Sequence, residues 1–393
     1  MNDVLMHTYA RQPVGFVRGE GPWLWDAEGR RYLDALAGVA VCALGHAHPA
    51  LAEALCEQAR TLLHTSNIYQ IPLQQRVGER LCALSGMQRA FFCNSGAEAN
   101  EAAIKIARLR GHAKGVEVPT IIVMEGSFHG RTLATLTATG NKKIQMGFEP
   151  LVPGFVRVPY GDLAALEHTA QHVPSTVAVL VEPVQGEGGI IIPPPGYLKG
   201  VRDICDRNGL LMMLDEIQTG IARTGKWFAF QHEGIQPDVM TLAKGLGGGV
   251  PIGACLARGV AAETFGLGSH GSTFGGNPLA CRAADTVLDV VEREDLCAKA
   301  VELGSHLLDG FRARLGDHPS VLAIRGHGLM LGIELDRPCG ELVRKAIERG
   351  LLINVTAERV IRLLPPLVIT QAEADIILDT VAALVTDFAA AAA

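Results

Sequence analysis

The sequence predicts an α/β protein with one large, mostly parallel sheet and a smaller α+β unit built from both ends of the chain. Three observations carry this. Short apolar, β-branched runs alternate with longer helical patterns through the middle of the chain. Those runs are apolar on both faces, as strands covered by helices on each side must be. The two ends read differently, with short strand-like pieces, turns and an amphipathic closing helix.

The strand candidates of the middle are residues 90–93, 120–124, 177–181, 210–214, 239–242 and 252–256, with helical segments such as 97–108 and 196–208 between them. Near the start, 15–17 and 22–26 are strand-like and joined by a Gly-rich turn. Toward the end, strands are expected near 321–325, 330–335 and 360–363. Thr370 followed three residues later by Glu373 has capping-box spacing and opens the last apolar-periodic helix. The predicted division is a large unit at 56–280 and a small one made of 1–55 and 281–393. In such sheets ligands bind beyond the carboxyl ends of the strands, and the unusual residues fall there.

A chain of 393 residues is long enough for a large domain and a smaller one. Its formal net charge of −6 offers no basic surface for nucleic acid or anionic lipid. The nine cysteines are odd in number, include no Cys-x-x-Cys pair and lie mostly in apolar runs, which predicts buried thiols in a reducing compartment. The N-terminus lacks a basic start followed by an apolar core, and no apolar run approaches the roughly 20 residues of a membrane helix. A soluble, cytoplasmic protein without a membrane partner is expected. His46 and His48 have no acidic or Cys ligands in a recognisable pattern beside them, so no metal site is predicted and His48-Pro49 is read as a helix start.

Four segments carry chemistry. Only nine lysines occur, and Lys244 stands between the apolar run 239–243 and the glycine-rich run 245–250. A lysine desolvated just past a buried strand favours its neutral, nucleophilic form, which Schiff-base chemistry needs. A loop lysine paired with a carboxylate is the other reading, and the segment alone leaves both open. Asp215 closes a four-residue apolar run, where a carboxylate is costly unless it meets a cation. A pyridinium nitrogen is such a cation, while a helix cap is the alternative. Asn94-Ser95-Gly96-Ala97 lies between a strand and a helix, where exposed N–H groups and the helix dipole favour an anion such as phosphate. Neither it nor the run 245–249 has the spacing of a nucleotide P-loop. Ser127-Phe128-His129-Gly130-Arg131-Thr132 places an aromatic that can stack on a flat cofactor beside an arginine that can grip a carboxylate.

Together these runs resemble the class III aminotransferases that use pyridoxal 5'-phosphate, and within them the acetylornithine type. The resemblance spans about residues 10 to 385. It rests on FFCNSGAEANEAAIK (91–105), SFHGRT (127–132), VEPVQGEGG (181–189), LDEIQTGIARTG (214–225), LAKGLGGGVPIGA (242–254), STFGGNP (272–278) and RLLPP (362–366). It implies the fold type I architecture and a role for each matching position. Lys244 matches the catalytic lysine that links to the cofactor and shuttles a proton. Asp215 matches the partner of the ring nitrogen, and Gln218 the donor to the ring 3-oxygen. Ser95, Gly96 and Ala97 match the phosphate cup, and Phe128 and Ile217 the two faces around the ring. Thr273 matches a residue that completes the phosphate site from the neighbouring subunit, which implies a homodimer with shared active sites.

For the substrates, Arg131 and Arg362 match the carboxylate-binding arginines. Glu187 matches a gating acid that covers Arg362 for one substrate and moves aside for the other. Val39 matches a position where ornithine aminotransferases carry Tyr, and its small side chain resembles the acetylornithine type. Cys42 departs from that pattern, which usually has Asn there. The implied reaction carries the δ-amino group of N2-acetylornithine to 2-oxoglutarate, giving N-acetylglutamate 5-semialdehyde and glutamate, a step of arginine biosynthesis. N-succinyl-diaminopimelate, N-succinylornithine and free ornithine are the alternative donors. An aminomutase or a non-catalytic binder of the cofactor are the readings from outside this reaction.

Overall fold

The computed structural model describes residues 4–390, so the first three residues and the last three of the terminal Ala tail lie outside it. The chain opens with β1 (Phe16–Glu20), β2 (Trp23–Asp26) and β3 (Arg31–Asp34). Its middle supplies β4 (Arg89–Cys93), β5 (Thr120–Met124), β6 (Phe155–Val158), β7 (Thr176–Val181), β8 (Leu211–Asp215), β9 (Val239–Leu242) and β10 (Gly253–Ala257). The last part adds β11 (Val321–His327), β12 (Met330–Leu335), β13 (Leu351–Leu352), β14 (Asn354–Thr356) and β15 (Val360–Leu363).

The middle strands form one seven-stranded sheet in the order β4-β10-β9-β8-β7-β5-β6. β10 pairs antiparallel with both neighbours, and every other pair is parallel, so β10 alone is reversed. β5, β7, β8 and β9 are buried along their whole length. Their side chains alternate between two cores. Ile122, Met124, Val179, Val181, Met212 and Leu214 enter the larger cluster. Ile121, Val123, Ala178, Leu180, Leu211 and Met213 enter a second one on the opposite face. This is the two-per-repeat alternation of a sheet covered on both sides, and it explains why these runs read as apolar throughout.

Two smaller sheets flank it. One has the order β1-β2-β3-β13, so a strand from late in the chain pairs parallel with the third strand of the N-terminal meander. The other is β11-β12-β15-β14, wholly antiparallel. The closing helix Gln371–Ala390 begins at the predicted capping box. Glu373 Oε2 accepts from Thr370 N at 2.8 Å, and Thr370 Oγ1 accepts from Glu373 N at 3.3 Å. The other Glu373 oxygen takes Trp23 Nε1 at 2.8 Å, tying this helix to β2.

Several expectations needed adjustment. β8 and β10 each run one residue later than predicted, which makes Asp215 the last strand residue. β3, β6, β13 and β14 were not foreseen. The helix Pro49–Thr61 does start after His48, and all nine cysteines are free thiols, Cys56 alone being exposed. Among the described residues no helix is long and apolar enough to cross a membrane, and no group of three or more metal-ligating side chains is gathered.

Candidate active site

A cavity of about 410 Å³ opens beyond the carboxyl ends of the parallel strands. Ser95, Gly96 and Ala97 after β4, Phe128 and Arg131 after β5, Glu182 after β7, Asp215, Ile217 and Gln218 at the end of β8, and Lys244 after β9 line it. Because β10 is reversed, its start rather than its end faces this space, and Pro251 and Ile252 complete the wall.

Lys244 ends the run out of β9 with φ 46°, in the left-handed region that non-glycine residues avoid, and opens the short turn Lys244–Gly247. Such backbone strain is held where a side chain must be aimed. Burial pushes its amine down to about 8, against the pull of the Glu187 charge and with the push of Arg362. The lysine therefore supplies a neutral amine far closer to neutral pH than a free lysine does.

Asp215 is 4% exposed and held by residues far away in sequence. Its Oδ2 accepts from Asn100 Nδ2 at 2.7 Å and meets His129 Nδ1 at 2.7 Å, while Oδ1 accepts from Ile217 N at 3.1 Å. Asn100 is itself oriented, donating to the His129 carbonyl at 2.8 Å and accepting from Thr241 Oγ1 at 2.8 Å. The Asn100 amide, the Ile217 N–H and the His129 ring together fix the direction of the carboxylate. The adjacent Glu216 points the other way and accepts from Ala229 N and Phe230 N at 2.9 Å each, shaping the loop behind the site. Sequence reading did not assign Asn100 or His129 a role, although both lie inside the motifs it used. Glu182 was missed as well. It accepts from Phe128 N at 3.0 Å, and burial pushes its carboxyl up.

The helix Gly96–Ala113 starts at the cavity with Ser95 as its cap, whose side chain accepts from Glu98 N at 3.2 Å. The first-turn N–H groups of such a helix have no partner within it and carry the positive end of its dipole. A Cβ on Gly96 would stand 2.7 Å from Ile217 Cδ1, so only glycine lets the helix start come this close to Ile217. Arg131 stacks its guanidinium 5.8 Å from the Phe128 ring at the exposed side of the cavity.

Val39, Glu187, Thr273 and Arg362 do not line the cavity. Arg362, on β15, is 2% exposed and reaches its edge. Its Nη1 donates to Glu187 Oε1 at 2.6 Å and lies 3.5 Å from Gln218 Oε1. Nε and Nη2 both donate to Asn354 Oδ1, at 3.1 and 2.8 Å, a partner that sequence reading did not find. The Glu187 loop is fixed in turn, since Arg325 donates to the carbonyls of Gly189 and Ile190 at 2.7 and 2.8 Å. Val39 sits two residues before Val41, which does line the cavity, and packs beside Val184 and Ile190. Thr273 lies on an exposed loop and does not line the cavity of its own chain.

The class-III aminotransferase family matches residues 6–385. The acetylornithine aminotransferase of Nitrosomonas europaea is 62% identical over 384 residues, covering 98% of each chain. Acetylornithine aminotransferase 1 of Bordetella parapertussis is 55% identical over 390 residues, covering 99% of each. Among solved structures, the ornithine aminotransferase of Toxoplasma gondii superposes with a TM-score of 0.94 at 37% identity, over 97% of this chain and 92% of that one. The N-acetylornithine aminotransferase of Stenotrophomonas maltophilia does so with a TM-score of 0.85 at 38% identity, over 98% of each. A second structure of the Toxoplasma enzyme is described with pyridoxal phosphate partly occupying the active site. The residues of the cavity fit that group: a buried acid without a basic side chain other than His129, a lysine amine, and a helix start for a phosphate. This chain, with the fold type I architecture, belongs to the class-III aminotransferase family and is a pyridoxal-phosphate-dependent aminotransferase.

Proposed function

We propose that this enzyme transfers the δ-amino group of N2-acetylornithine to 2-oxoglutarate, giving N-acetylglutamate 5-semialdehyde and glutamate in arginine biosynthesis. The observation that carries the reading is the Arg362–Glu187 pair at 2.6 Å on the edge of the cavity. One site must admit a donor without a carboxylate at that end and then a dicarboxylate. An arginine covered by an acid that can be displaced meets both demands. The high identity to two curated acetylornithine aminotransferases supports the donor.

The cofactor, when bound, supplies a carbonyl for the incoming amine and a ring that takes up electrons as the proton leaves the carbon that carries that amine. The chain's own residues do the rest. Lys244 offers the amine that anchors the group and afterwards carries the proton. Asp215, oriented by Asn100 and His129, would meet the ring nitrogen. The N–H groups at Ser95, Gly96 and Ala97 would hold the phosphate, Phe128 and Ile217 would hold the ring, and Gln218 would serve its 3-oxygen. Arg131 takes one substrate carboxylate, and Arg362 takes the other once Glu187 has turned away.

The same reading makes the enzyme a homodimer in which Thr273 serves the partner's phosphate site, and its exposed position on its own chain is compatible with that. It divides the chain into a large unit at 56–280 and a small one at 1–55 and 281–393. Nine free thiols suit a reducing compartment, and we place the enzyme in the cytoplasm. The test is turnover of N2-acetylornithine with 2-oxoglutarate. Glutamate should form with parallel initial-rate plots, as substituted-enzyme kinetics require. Intersecting plots, or turnover that needs no keto acid, would refute the reading.

A further inference from the structure

Between β3 and the helix Pro49–Thr61 the backbone makes a turn that L-residues resist. Ala37, Gly38, Val39 and Ala40 hold φ of 49°, 63°, 65° and 63° in succession. Left-handed geometry drives Cβ against the following carbonyl, and a β-branched residue such as Val39 is the worst case. Such a turn persists only where its surroundings over-determine it.

Asp34 does this. The last residue of β3 is 3% exposed, and its Oδ1 accepts from Leu36 N at 2.9 Å and Ala37 N at 2.8 Å. Its Oδ2 meets His46 Nε2 at 2.9 Å. His46 is immobilised in turn. Its backbone exchanges two hydrogen bonds with Gly21, at 2.7 and 3.0 Å, and a Cβ on Gly19 would come within 2.5 Å of the His46 Cβ. Burial works against a charged His46, but its bonds to Asp34 and Cys42 outweigh this and push it up to about 9. The pair is therefore an ion pair at neutral pH, anchored at one end to β1–β2 and at the other to the start of the turn.

The far side of the turn faces the site. Val41 lines the cavity with Lys244, and the Ala40 carbonyl lies 3.6 Å from where a Cβ on Gly245 would stand. Val39 and Ala40 pack with Val184 and Ile190, which bracket the loop of Glu187.

We propose that Asp34 and His46 are positioning residues for the donor. They hold the left-handed turn 37–40 so that Val41, with Val39 packed behind it, forms the wall against which its N-acyl group rests. This rests on the donor proposed above. 2-Oxoglutarate has no acyl group, so its half of the reaction does not use that wall.

The test uses purified holoenzyme carrying Asp34→Ala, Asp34→Asn, His46→Ala or His46→Gln. In substituted-enzyme kinetics kcat/KM for each substrate reports its own half-reaction. Asp34→Ala and His46→Ala should lower kcat/KM for N2-acetylornithine by about tenfold or more while that for 2-oxoglutarate stays within about twofold. Asp34→Asn, which keeps an acceptor for the two N–H groups, should recover most of the loss, and amide exchange at Leu36 and Ala37 should speed up in Asp34→Ala but not in Asp34→Asn. If Asp34→Ala does not fold, the same split is read from His46→Gln. An equal fall for both substrates, or no fall in a folded variant, overturns the proposal. The wild-type preference for acetylornithine over free ornithine reads the proposed function separately, since it depends on none of these variants.

Discussion

Asn354 Oδ1 accepts from both Nε and Nη2 of Arg362, at 3.1 and 2.8 Å, while Nη1 of the same guanidinium faces Glu187. The arginine thus has one edge fixed by a neutral partner and one edge paired with an acid. A planar guanidinium held in this way keeps its orientation when the acid leaves.

Asn354→Ala should therefore weaken the keto-acid half-reaction selectively. KM for 2-oxoglutarate is expected to rise about tenfold with kcat changed far less. The donor half-reaction, in which Glu187 still pairs with Arg362, should change little. Steady-state kinetics on both substrates check this, and an unchanged KM for 2-oxoglutarate would show that Asn354 does not orient the arginine.

Cofactor capture should follow the titration of Lys244. Burial pushes its amine down to about 8, so the neutral form grows as pH rises toward that value and is complete above it. The rate at which apoenzyme takes up pyridoxal phosphate should rise with pH and level off above about 8. A rate that keeps climbing to about 10.5, the ordinary lysine range, would contradict the desolvated environment.

The closing helix offers a stability test independent of catalysis. Thr370→Ala removes the cap of that helix and should cost about 1 kcal/mol. Glu373→Ala should cost more, about 1–2 kcal/mol, because it also leaves Trp23 Nε1 without its partner. Urea titrations of the two variants would show the order, and equal stability to wild type in both would mean that the cap contributes nothing.

The same capping box shows what could be read in the sequence. Its residues are local, and so are the two-faced apolar runs of β5 and β9, whose predicted bounds coincide with the observed ones. β6 escaped because Phe155–Val158 is a half-buried edge strand interrupted by Arg157, without the two-faced signal of its neighbours. The reversal of β10 has no local mark either, since a buried strand is apolar in either direction. In the site, Lys244 and Asp215 could be singled out because each is a charge at the end of an apolar run. Asn100 and Asn354 could not. Both are ordinary polar residues until the fold brings them to Asp215, 115 positions away, and to Arg362 across a hairpin.

The most direct measurement is a donor panel of N2-acetylornithine, N-succinylornithine, N-succinyl-diaminopimelate and free ornithine, each with 2-oxoglutarate and compared by kcat/KM. The account predicts that N2-acetylornithine leads, with free ornithine lower by about tenfold or more, because Val41 lines the cavity with an apolar surface and Val39 beside it carries no hydroxyl for a free amine. Preference for free ornithine, or equal use of both, would contradict it.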